Sequence, residues 1–283
     1  MATKILVFLI NYKSDEDTIR IVRQLFSLPS SEFLHICVVN NSQAGQSLQN
    51  LRKEYSDQTF SMKDYPNLGY FGGAQRALVE WKKEHPNIPL FTIISNVDLE
   101  IQDKEFFTQL LSTSMSDLIG AIGPSIFSGI ALQDANPLMV HRPTARKMLF
   151  YRWIFSHWIS CQIYQLLGLF KAKLKSFLPR GKKNQSPMSS TVQDVYAIHG
   201  AMMIFTANYF LKGNDFTHPA FLYGEEMTVA EKCRRSGLIV QHHPALKVYH
   251  REHGSTGMFY SRQTLSFFKE SSLAIFKNYF SED

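Results

Sequence analysis

Lys4-Ile5-Leu6-Val7-Phe8-Leu9-Ile10 is the stretch that decides the fold of this chain. After Lys4 it is apolar without interruption, which is typical of a strand buried on both faces of a sheet. Ser14 follows where it can cap a helix through about Leu28, with acidic residues in the first turn, where the helix dipole favours them. His35–Val39 is the next apolar run, so the chain is predicted to open with a strand–helix–strand unit.

Strand and helix signals keep alternating along the rest of the chain. The sequence predicts a helix after Gly73, strands at Leu90–Ser95 and Ile198–Thr206, a helix at Glu226–Ser236, and short strands at Leu238–Gln241 and Leu246–Tyr249. This alternation predicts an α/β protein with a mostly parallel sheet and helices on both of its faces. In such a sheet, ligands bind at the carboxyl ends of the strands.

The composition indicates an ordinary globular protein. A chain of 283 residues can bury one large core, and an apolar fraction of 45% with 19% charged residues is typical of globular domains. Cys37, Cys161 and Cys233 lie far apart without metal-type spacing, so we expect no disulfide framework and a cytoplasmic location. Lys4–Ile10 is short and leads to no small-residue cleavage site, so we do not expect a signal peptide there.

Positive charge is concentrated in one segment. Residues 135–193 contain no Asp or Glu but hold ten of the 30 Lys and Arg residues, which leaves the rest of the chain mildly acidic. This distribution indicates a local anionic partner and argues against general nucleic-acid binding.

The same segment is rich in aromatic residues. Met148–Phe170 is long enough to span a bilayer, but its polar residues make it a poor spanning helix, and Arg152, Ser156 and Ser160 recur every four residues as one polar stripe. One interpretation is peripheral attachment of residues 146–183 to an anionic membrane surface, on the inner face of the cytoplasmic membrane. The other is a buried helical hairpin that caps an acceptor site or forms a homodimer contact.

A glycine-rich turn, Asn67-Leu68-Gly69-Tyr70-Phe71-Gly72-Gly73, precedes the predicted third helix. Its glycines allow positive φ and a close backbone approach to a ligand, and the helix would direct free N–H groups at a phosphate or a sugar. The spacing matches neither a dinucleotide-binding fingerprint nor a phosphate loop. A plain tight turn is the alternative interpretation.

Two neighbouring carboxylates are candidates for acid–base chemistry. Glu225 and Glu226 stand side by side after Phe221-Leu222-Tyr223-Gly224. A neighbouring carboxylate and apolar walls raise the pKa of a carboxyl group, which suits a base that deprotonates a sugar hydroxyl. The alternative is that both residues lie in a first helical turn only because the helix dipole favours them there.

Asp98 and His250 are candidates for holding a metal ion. Asp98 follows a predicted strand, where a carboxylate suits Mg²⁺ or Mn²⁺, although an aspartate that caps a loop fits the same pattern. His250 ends a short strand and can ligate the metal or contact a diphosphate, with Arg251 beside it to offset phosphate charge; the alternative is a structural histidine. His199 precedes an apolar strand as a packed or substrate-contacting residue.

Taken together, these motifs resemble the bacterial family 2 glycosyltransferases of the rhamnosyltransferase-like type, which build O-antigen, capsule and cell-wall glycans. The resemblance covers most of the chain except roughly residues 135–191. It implies a GT-A fold, a Rossmann-like mostly parallel sheet flanked by helices, in one catalytic domain over residues 1–283. Residues 1–134 would form the nucleotide-sugar-binding half, residues 135–191 a helical aromatic and basic insertion, and residues 192–283 the acceptor and catalytic half.

The resemblance also implies a chemistry. The donor would be a nucleotide-diphosphate sugar, such as a dTDP-rhamnose or a UDP-hexose, and the acceptor a glycan or a polyprenyl-diphosphate-linked sugar. A divalent cation, Mn²⁺ or Mg²⁺, would assist an inverting single displacement. The residues assigned to the nucleotide sugar by this resemblance are Asn11, Tyr12, Asn40, Asn41, Ser42, Asn67, Gly69, Gly72, Gly73, Asn96 and Asp98.

The remaining roles fall on the second half of the chain. The resemblance makes Glu226 the catalytic base, with Glu225 as the alternative, and makes Asp98 and His250 the metal ligands. His199 and Arg251 are candidate contacts to the acceptor or the diphosphate.

Three positions depart from the family pattern. Asn40 and Asn96 stand where the family usually has aspartates, and Glu226 is one methylene longer than the common aspartate. A non-catalytic sugar-nucleotide or glycan-binding scaffold is therefore the competing hypothesis, although it does not account for the retention of Asp98 together with Glu226. A nucleotidylyltransferase is a weaker alternative, because the amino terminus carries no glycine-rich triphosphate loop.

Overall fold

The computed structural model describes residues 3–42, 45–55, 59–128, 134–164, 166–167, 191–251 and 261–282. Within these residues the chain forms one nine-stranded sheet with helices on both faces. The strands are β1 (Ile5–Asn11), β2 (Leu34–Asn40), β3 (Phe60–Asp64), β4 (Phe91–Asn96), β5 (Leu99–Glu100), β6 (Ile119–Ser128), β7 (Gln193–Val195), β8 (Met202–Thr206) and β9 (Ile239–His250). The helices are α1 (Asp15–Ser27), α2 (Gln46–Glu54), α3 (Tyr70–Glu84), α4 (Phe106–Ser112), α5 (Ala145–Ser156), α6 (Ala207–Leu211), α7 (Glu225–Arg235) and α8 (Arg262–Tyr279).

Four parallel strands, in the order β3-β2-β1-β4, form the first part of the sheet. In their register, Asn11 is paired with Asn40, and Asn96 is paired with the residue before Asn11. Three neighbouring strands therefore end in asparagine at the same edge of the sheet. This is the edge where an α/β sheet binds its ligands.

The second half of the chain completes the same sheet. Strand β8 lies antiparallel between β4 and β6, and β9 runs parallel to β6. The predicted strand Ile198–Thr206 is too long, because residues 198–201 form a turn and β8 begins at Met202. The prediction of two short strands after α7 is also wrong: β9 is one strand, whose register shift against β6 between His243 and Lys247 replaces the expected break.

The core lies on both faces of the sheet, as the sequence of β1 predicts. Ile5, Val7 and Leu9 pack against α1, α2 and α4, while the residues between them pack against α3, α6 and α7. All seven residues of β1 are buried. The two-faced burial explains why this strand carries no polar residue before Asn11.

Two helix starts differ from the prediction. Ser14 precedes α1, but its hydroxyl does not cap the helix; instead the Asn11 side chain accepts a hydrogen bond from the Ser14 N–H at 3.0 Å. Helix α3 begins at Tyr70 rather than after Gly73, so Gly72 and Gly73 lie in its first turn. The side chain of Phe71, in the same first turn, is buried in the core.

The aromatic segment is not one helix. Helix α5 ends at Ser156, His157 is extended, and a second helical stretch covers residues 158–164. The predicted polar stripe is therefore interrupted, and the Ser156 and Ser160 hydroxyls donate to backbone carbonyls of the same segment. Within the described residues, no helix combines the length and the apolar character that crossing a membrane requires. The basic stretch of the sequence, Lys171–Lys183, lies outside the described residues.

Candidate active site

The asparagines at the ends of β1 and β2 form a buried hydrogen-bond network. The Asn11 side chain donates to Oδ1 of Asn40 at 3.0 Å, and the Asn40 amide donates to Oδ1 of Asp64 at 2.8 Å. The Ser42 hydroxyl also donates to Oδ1 of Asn40, at 3.1 Å. Position 40 carries an asparagine where the family pattern has an aspartate. A carboxylate is nevertheless present on the neighbouring strand, at Asp64. Asn40 and Asn11 act here as cross-links between strand ends, while the Tyr12 ring is exposed at the same edge.

The glycine-rich turn is held against this network. The Asn41 side chain donates to the Gly69 carbonyl at 2.8 Å, and the Asn67 side chain accepts from the Gly69 N–H at 3.1 Å. Gly69 has φ +77°, a conformation that favours glycine. A Cβ on Gly69 would lie 2.1 Å from the Phe221 carbonyl oxygen. The close approach predicted for a ligand is therefore made by the loop that precedes α7.

Asp98 and His250 are brought together by strand pairing. The short strand β5 pairs antiparallel with the end of β9, with Leu99 opposite His250. As a result, Oδ2 of Asp98 lies 3.0 Å from Nε2 of His250, and the Arg251 N–H donates to the Asp98 carbonyl at 2.9 Å. These residues are far apart in the sequence, so their contact supports the interpretation of Asp98 and His250 as one site.

The pair is suited to a divalent cation that also binds a phosphate. Oδ1 of Asp98 is buried and accepts no hydrogen bond from the described residues, so it retains an unused oxygen ligand. Among the described residues no cluster of three or more His, Cys, Asp or Glu side chains is placed to hold a metal. Mg²⁺ and similar ions are commonly held by one or two carboxylates plus substrate phosphates, so a pair is sufficient when the diphosphate completes the site.

Glu225 and Glu226 begin α7 after a strained turn. Tyr223 has φ +69° although it is not glycine, and Gly224 has φ +87°. The Ser271 hydroxyl from α8 donates to the Tyr223 carbonyl, and the His218 ring contacts the same oxygen at 3.1 Å. A non-glycine residue at positive φ is a cost that the surrounding contacts must offset. Here those contacts fix the start of α7 and with it the two glutamates.

The two glutamates have different surroundings. Glu225 is buried, and its carboxylate accepts from the Tyr223 N–H at 3.2 Å within its own turn. Burial and the nearby Glu226 raise the pKa of Glu225 to about 8. Glu226 is less completely buried and accepts a hydrogen bond from the Gly200 N–H, and burial raises its pKa as well. Glu226 retains more exposed surface as a residue than Glu225, while the surroundings of both carboxylates raise their pKa.

Tyr70, in the first turn of α3, has a role that the sequence did not single out. Its hydroxyl donates to the Gly200 carbonyl at 2.9 Å. Burial raises the pKa of Tyr70 well above its ordinary value, and the charges of Glu225, Glu226 and Asp98 raise it further. Tyr70 and Glu226 therefore contact the same residue, since the Gly200 carbonyl accepts from Tyr70 and the Gly200 N–H donates to Glu226.

The turn before β8 connects the groups. The Asn96 N–H, at the end of β4, donates to the Ala201 carbonyl at 2.8 Å. Nδ1 of His199 accepts from the Ala201 N–H at 3.1 Å, and the His199 N–H donates to Oδ1 of Asn136 at 2.7 Å. His199 therefore helps to shape the turn that holds Glu226. Asn136 supports it from outside the predicted set, and no sequence pattern marked that role.

The comparisons with known proteins agree with this architecture. The sequence matches no protein-family model and no curated protein sequence. Among solved structures, GalNAc-T7 with UDP, GalNAc and Mn²⁺ superposes with a TM-score of 0.56 at 11% identity, over 91% of this chain and 46% of its own. The GT-A glycosyltransferase fold is confirmed.

Two further structures with the GT-A fold give the same result. Staphylococcus aureus TarS, residues 1–349 in complex with UDP-GlcNAc, matches with a TM-score of 0.56 at 14% identity, over 90% of this chain and 60% of its own. The mannosyltransferase PcManGT from Pyrobaculum calidifontis, in complex with GDP-Man and Mn²⁺, matches with a TM-score of 0.52 at 10% identity, over 88% of this chain and 57% of its own. The chain thus spans about half the length of the structures that it matches.

Proposed function

We propose that this protein is a glycosyltransferase that moves a sugar from a nucleotide-diphosphate donor to a hydroxyl group of a glycan or lipid-linked glycan. The observation that carries the proposal is that the turn at Gly200 and Ala201 contacts Tyr70, Glu226 and the end of β4, two residues before Asp98, which in turn contacts His250. The GT-A fold supports it, because the neighbours with this fold were solved with nucleotides, nucleotide sugars or Mn²⁺.

In this proposal the strand ends bind the nucleotide. The exposed ring of Tyr12 and the groups around Ser42 lie beside the buried network of Asn11 and Asn40. The network holds the strand ends in place, and Asn41 holds the glycine turn. The free N–H groups at the start of α3 then favour the donor's phosphates.

Asp98 and His250 would hold the divalent cation, Mn²⁺ or Mg²⁺, which when bound supplies positive charge that offsets the diphosphate leaving group. Glu226 accepts the proton of the acceptor hydroxyl as its oxygen forms a bond to the anomeric carbon. The bond from that carbon to the diphosphate oxygen breaks, and the nucleoside diphosphate leaves with the electron pair. Attack from the opposite face inverts the anomeric centre. Burial raises the pKa of Glu226, which makes its carboxylate a stronger base than an exposed one.

The resemblance of the motifs refines this proposal. We place the protein with the family 2, rhamnosyltransferase-like enzymes of bacterial O-antigen, capsule or cell-wall synthesis, using a dTDP-rhamnose or a UDP-hexose. Its acceptor would be a glycan or a polyprenyl-diphosphate-linked sugar, met at the inner face of the cytoplasmic membrane. Free, buried cysteines fit a reducing cytoplasm.

A thermal-shift panel with Mn²⁺ tests the proposal. The ligands are UDP, dTDP, GDP and CMP and their sugars, because a ligand that binds only the folded protein raises its melting temperature. We expect one nucleotide class to stabilise the protein in a metal-dependent way, and Asp98→Asn to remove that dependence. If no nucleotide stabilises the protein with or without Mn²⁺, the proposal fails and a scaffold that binds glycan alone becomes the better account.

A further inference from the structure

We propose that the outer face of α5 and of the helical stretch that follows it is a docking surface for an anionic lipid membrane. This face, called here the aromatic face, consists of Leu149, Phe150, Trp153, Trp158, Ile159 and Ile163. The inference does not depend on transferase activity, because it rests on exposure and charge alone.

The aromatic face is exposed to an unusual degree for large apolar side chains. Trp153 is 59% exposed, Trp158 is 54% exposed and Ile159 is 66% exposed. Contiguous exposed apolar patches on soluble proteins commonly mark an interaction site. Tryptophan is also the residue preferred at the headgroup level of a bilayer, where one end of the ring is apolar and the other polar.

The aromatic face cannot be buried by rotation of α5, because the opposite side of this helix already packs against the protein. Met148, Ile154 and Cys161 are buried. The Phe155 ring packs 5.4 Å from that of Phe268 on α8, and the Arg152 guanidinium lies 5.2 Å from the ring centre of Phe276. One side of this segment is therefore packed on α8, and the other faces outward.

The charge of the segment that carries the aromatic face has one sign. Arg146 and Lys147 are exposed at the start of α5. The sequence has no acidic residue from 135 to 193, so nothing in this segment repels an anionic headgroup. Each Lys or Arg near an anionic surface strengthens binding noticeably, and the effect weakens as salt rises.

The geometry favours lying on a membrane. Helix α5 has 12 residues and ends where His157 is extended, so it is much shorter than the roughly 20 residues that a spanning helix needs. A short helix with an apolar face and basic neighbours lies in the interface. Charge also disfavours a second copy of the chain as the partner. In a two-fold dimer the aromatic face would contact the same face of the other copy, and the basic residues beside it would repel each other.

Vesicle flotation of the full chain tests the inference. The probes are phosphatidylcholine vesicles with and without phosphatidylglycerol, at low and high salt. We expect binding to the anionic vesicles at low salt. The double variant Trp153→Ser, Trp158→Ser and the double variant Arg146→Glu, Lys147→Glu should each reduce it at least about tenfold.

Matched control variants make the same kinds of substitution elsewhere on the surface, which tests whether the aromatic face itself is responsible for binding. Leu211→Ser changes another exposed apolar residue, 68% exposed on α6, and Lys82→Glu with Lys83→Glu reverses an adjacent basic pair on α3. Both controls should float like the wild type, and all variants should keep the wild-type melting temperature.

Three results would overturn the inference. One is a wild-type protein that ignores anionic vesicles at low salt, and another is flotation that the variants of the aromatic face leave unchanged. The third is a dimer in sedimentation that the tryptophan variant dissociates while the wild type fails to float, since the partner would then be a second copy.

Discussion

Replacing Gly69 by alanine tests the close contact between the glycine turn and the loop before α7, with Gly213 as a matched control. Gly69 has φ +77° and ψ −175°, a region that is essentially restricted to glycine. Gly213 has φ +83°. A Cβ at Gly69 would lie 2.1 Å from the Phe221 carbonyl oxygen, whereas one at Gly213 would meet nothing within 4 Å.

The expected loss of stability follows from these two differences. Alanine at Gly213 carries only the conformational cost of positive φ, about 1 kcal/mol. At Gly69 the backbone conformation costs about 2 kcal/mol. The Phe221 backbone must also move by about 1.3 Å, from 2.1 Å to the 3.4 Å at which ordinary contact begins, and such overpacking adds about 2 kcal/mol. The Gly69→Ala variant should therefore lose about 4 kcal/mol in its free energy of unfolding.

Urea and thermal denaturation of the two variants and the wild type measure the difference. With a few degrees of melting temperature per kcal/mol for a protein of this size, we expect a fall of about 3 °C for Gly213→Ala and about 12 °C for Gly69→Ala. Equal losses in the two variants would refute the reasoning, because they would show that the loop before α7 is not packed against Gly69.

Three further predictions concern the carboxylates and Tyr70. Glu226→Gln should lower the turnover by about 10²–10⁴-fold while nucleotide affinity, measured by calorimetry, stays unchanged; an equal loss of affinity would contradict its role as base. The pKa of Glu225 rises on folding from 4.5 to about 8. Between these two pH values the folded protein holds a proton that the unfolded chain releases. The free energy of unfolding therefore falls as the pH rises from 4.5 to about 8. In urea titrations, Glu225→Gln should therefore match the wild type below pH 4.5 and be more stable at pH 9; a difference that does not depend on pH would rule this out. Tyr70→Phe removes the hydrogen bond to the Gly200 carbonyl, so it should cost about 1 kcal/mol of stability and lower kcat more than it raises KM; a change in KM alone would show that Tyr70 only contacts the donor.

Much of the fold follows from local patterns in the sequence. The runs Lys4–Ile10 and His35–Val39 are predicted as neighbouring strands, and the structure pairs them side by side as β1 and β2. The same reasoning fails at Leu238–Gln241 and Leu246–Tyr249, which it predicts as two separate strands with a break between them. In the structure a register shift against β6 carries one strand through that point. A bulge depends on the neighbouring strand, so the local sequence does not reveal it.

The candidate site also has residues that the sequence predicts and contacts that only the folded chain shows. Asp98 and Glu226 could be predicted from the sequence because carboxylates are common metal ligands and bases. Asp98 follows strand β4 and Glu226 lies in the first turn of helix α7, and both elements are predicted from the sequence pattern. The contact of Asp98 with His250 depends on the pairing of β5 with β9, which only the folded chain shows. The sequence marks Tyr70 only as a member of the glycine-rich turn. Its hydrogen bond to Gly200, 130 residues away, exists only in the folded chain.

The central claim is that Glu226 is the base of a transfer from a nucleotide sugar. The measurement that tests it most directly is the release of nucleoside diphosphate from the donor that stabilises the protein, with Mn²⁺ and an acceptor glycan, for the wild type and for Glu226→Gln and Glu225→Gln. We expect release by the wild type, most of that rate in Glu225→Gln, and a loss of at least about 10²-fold in Glu226→Gln with donor binding intact. Wild-type turnover in Glu226→Gln, or a bound donor that the wild type never cleaves, would contradict it.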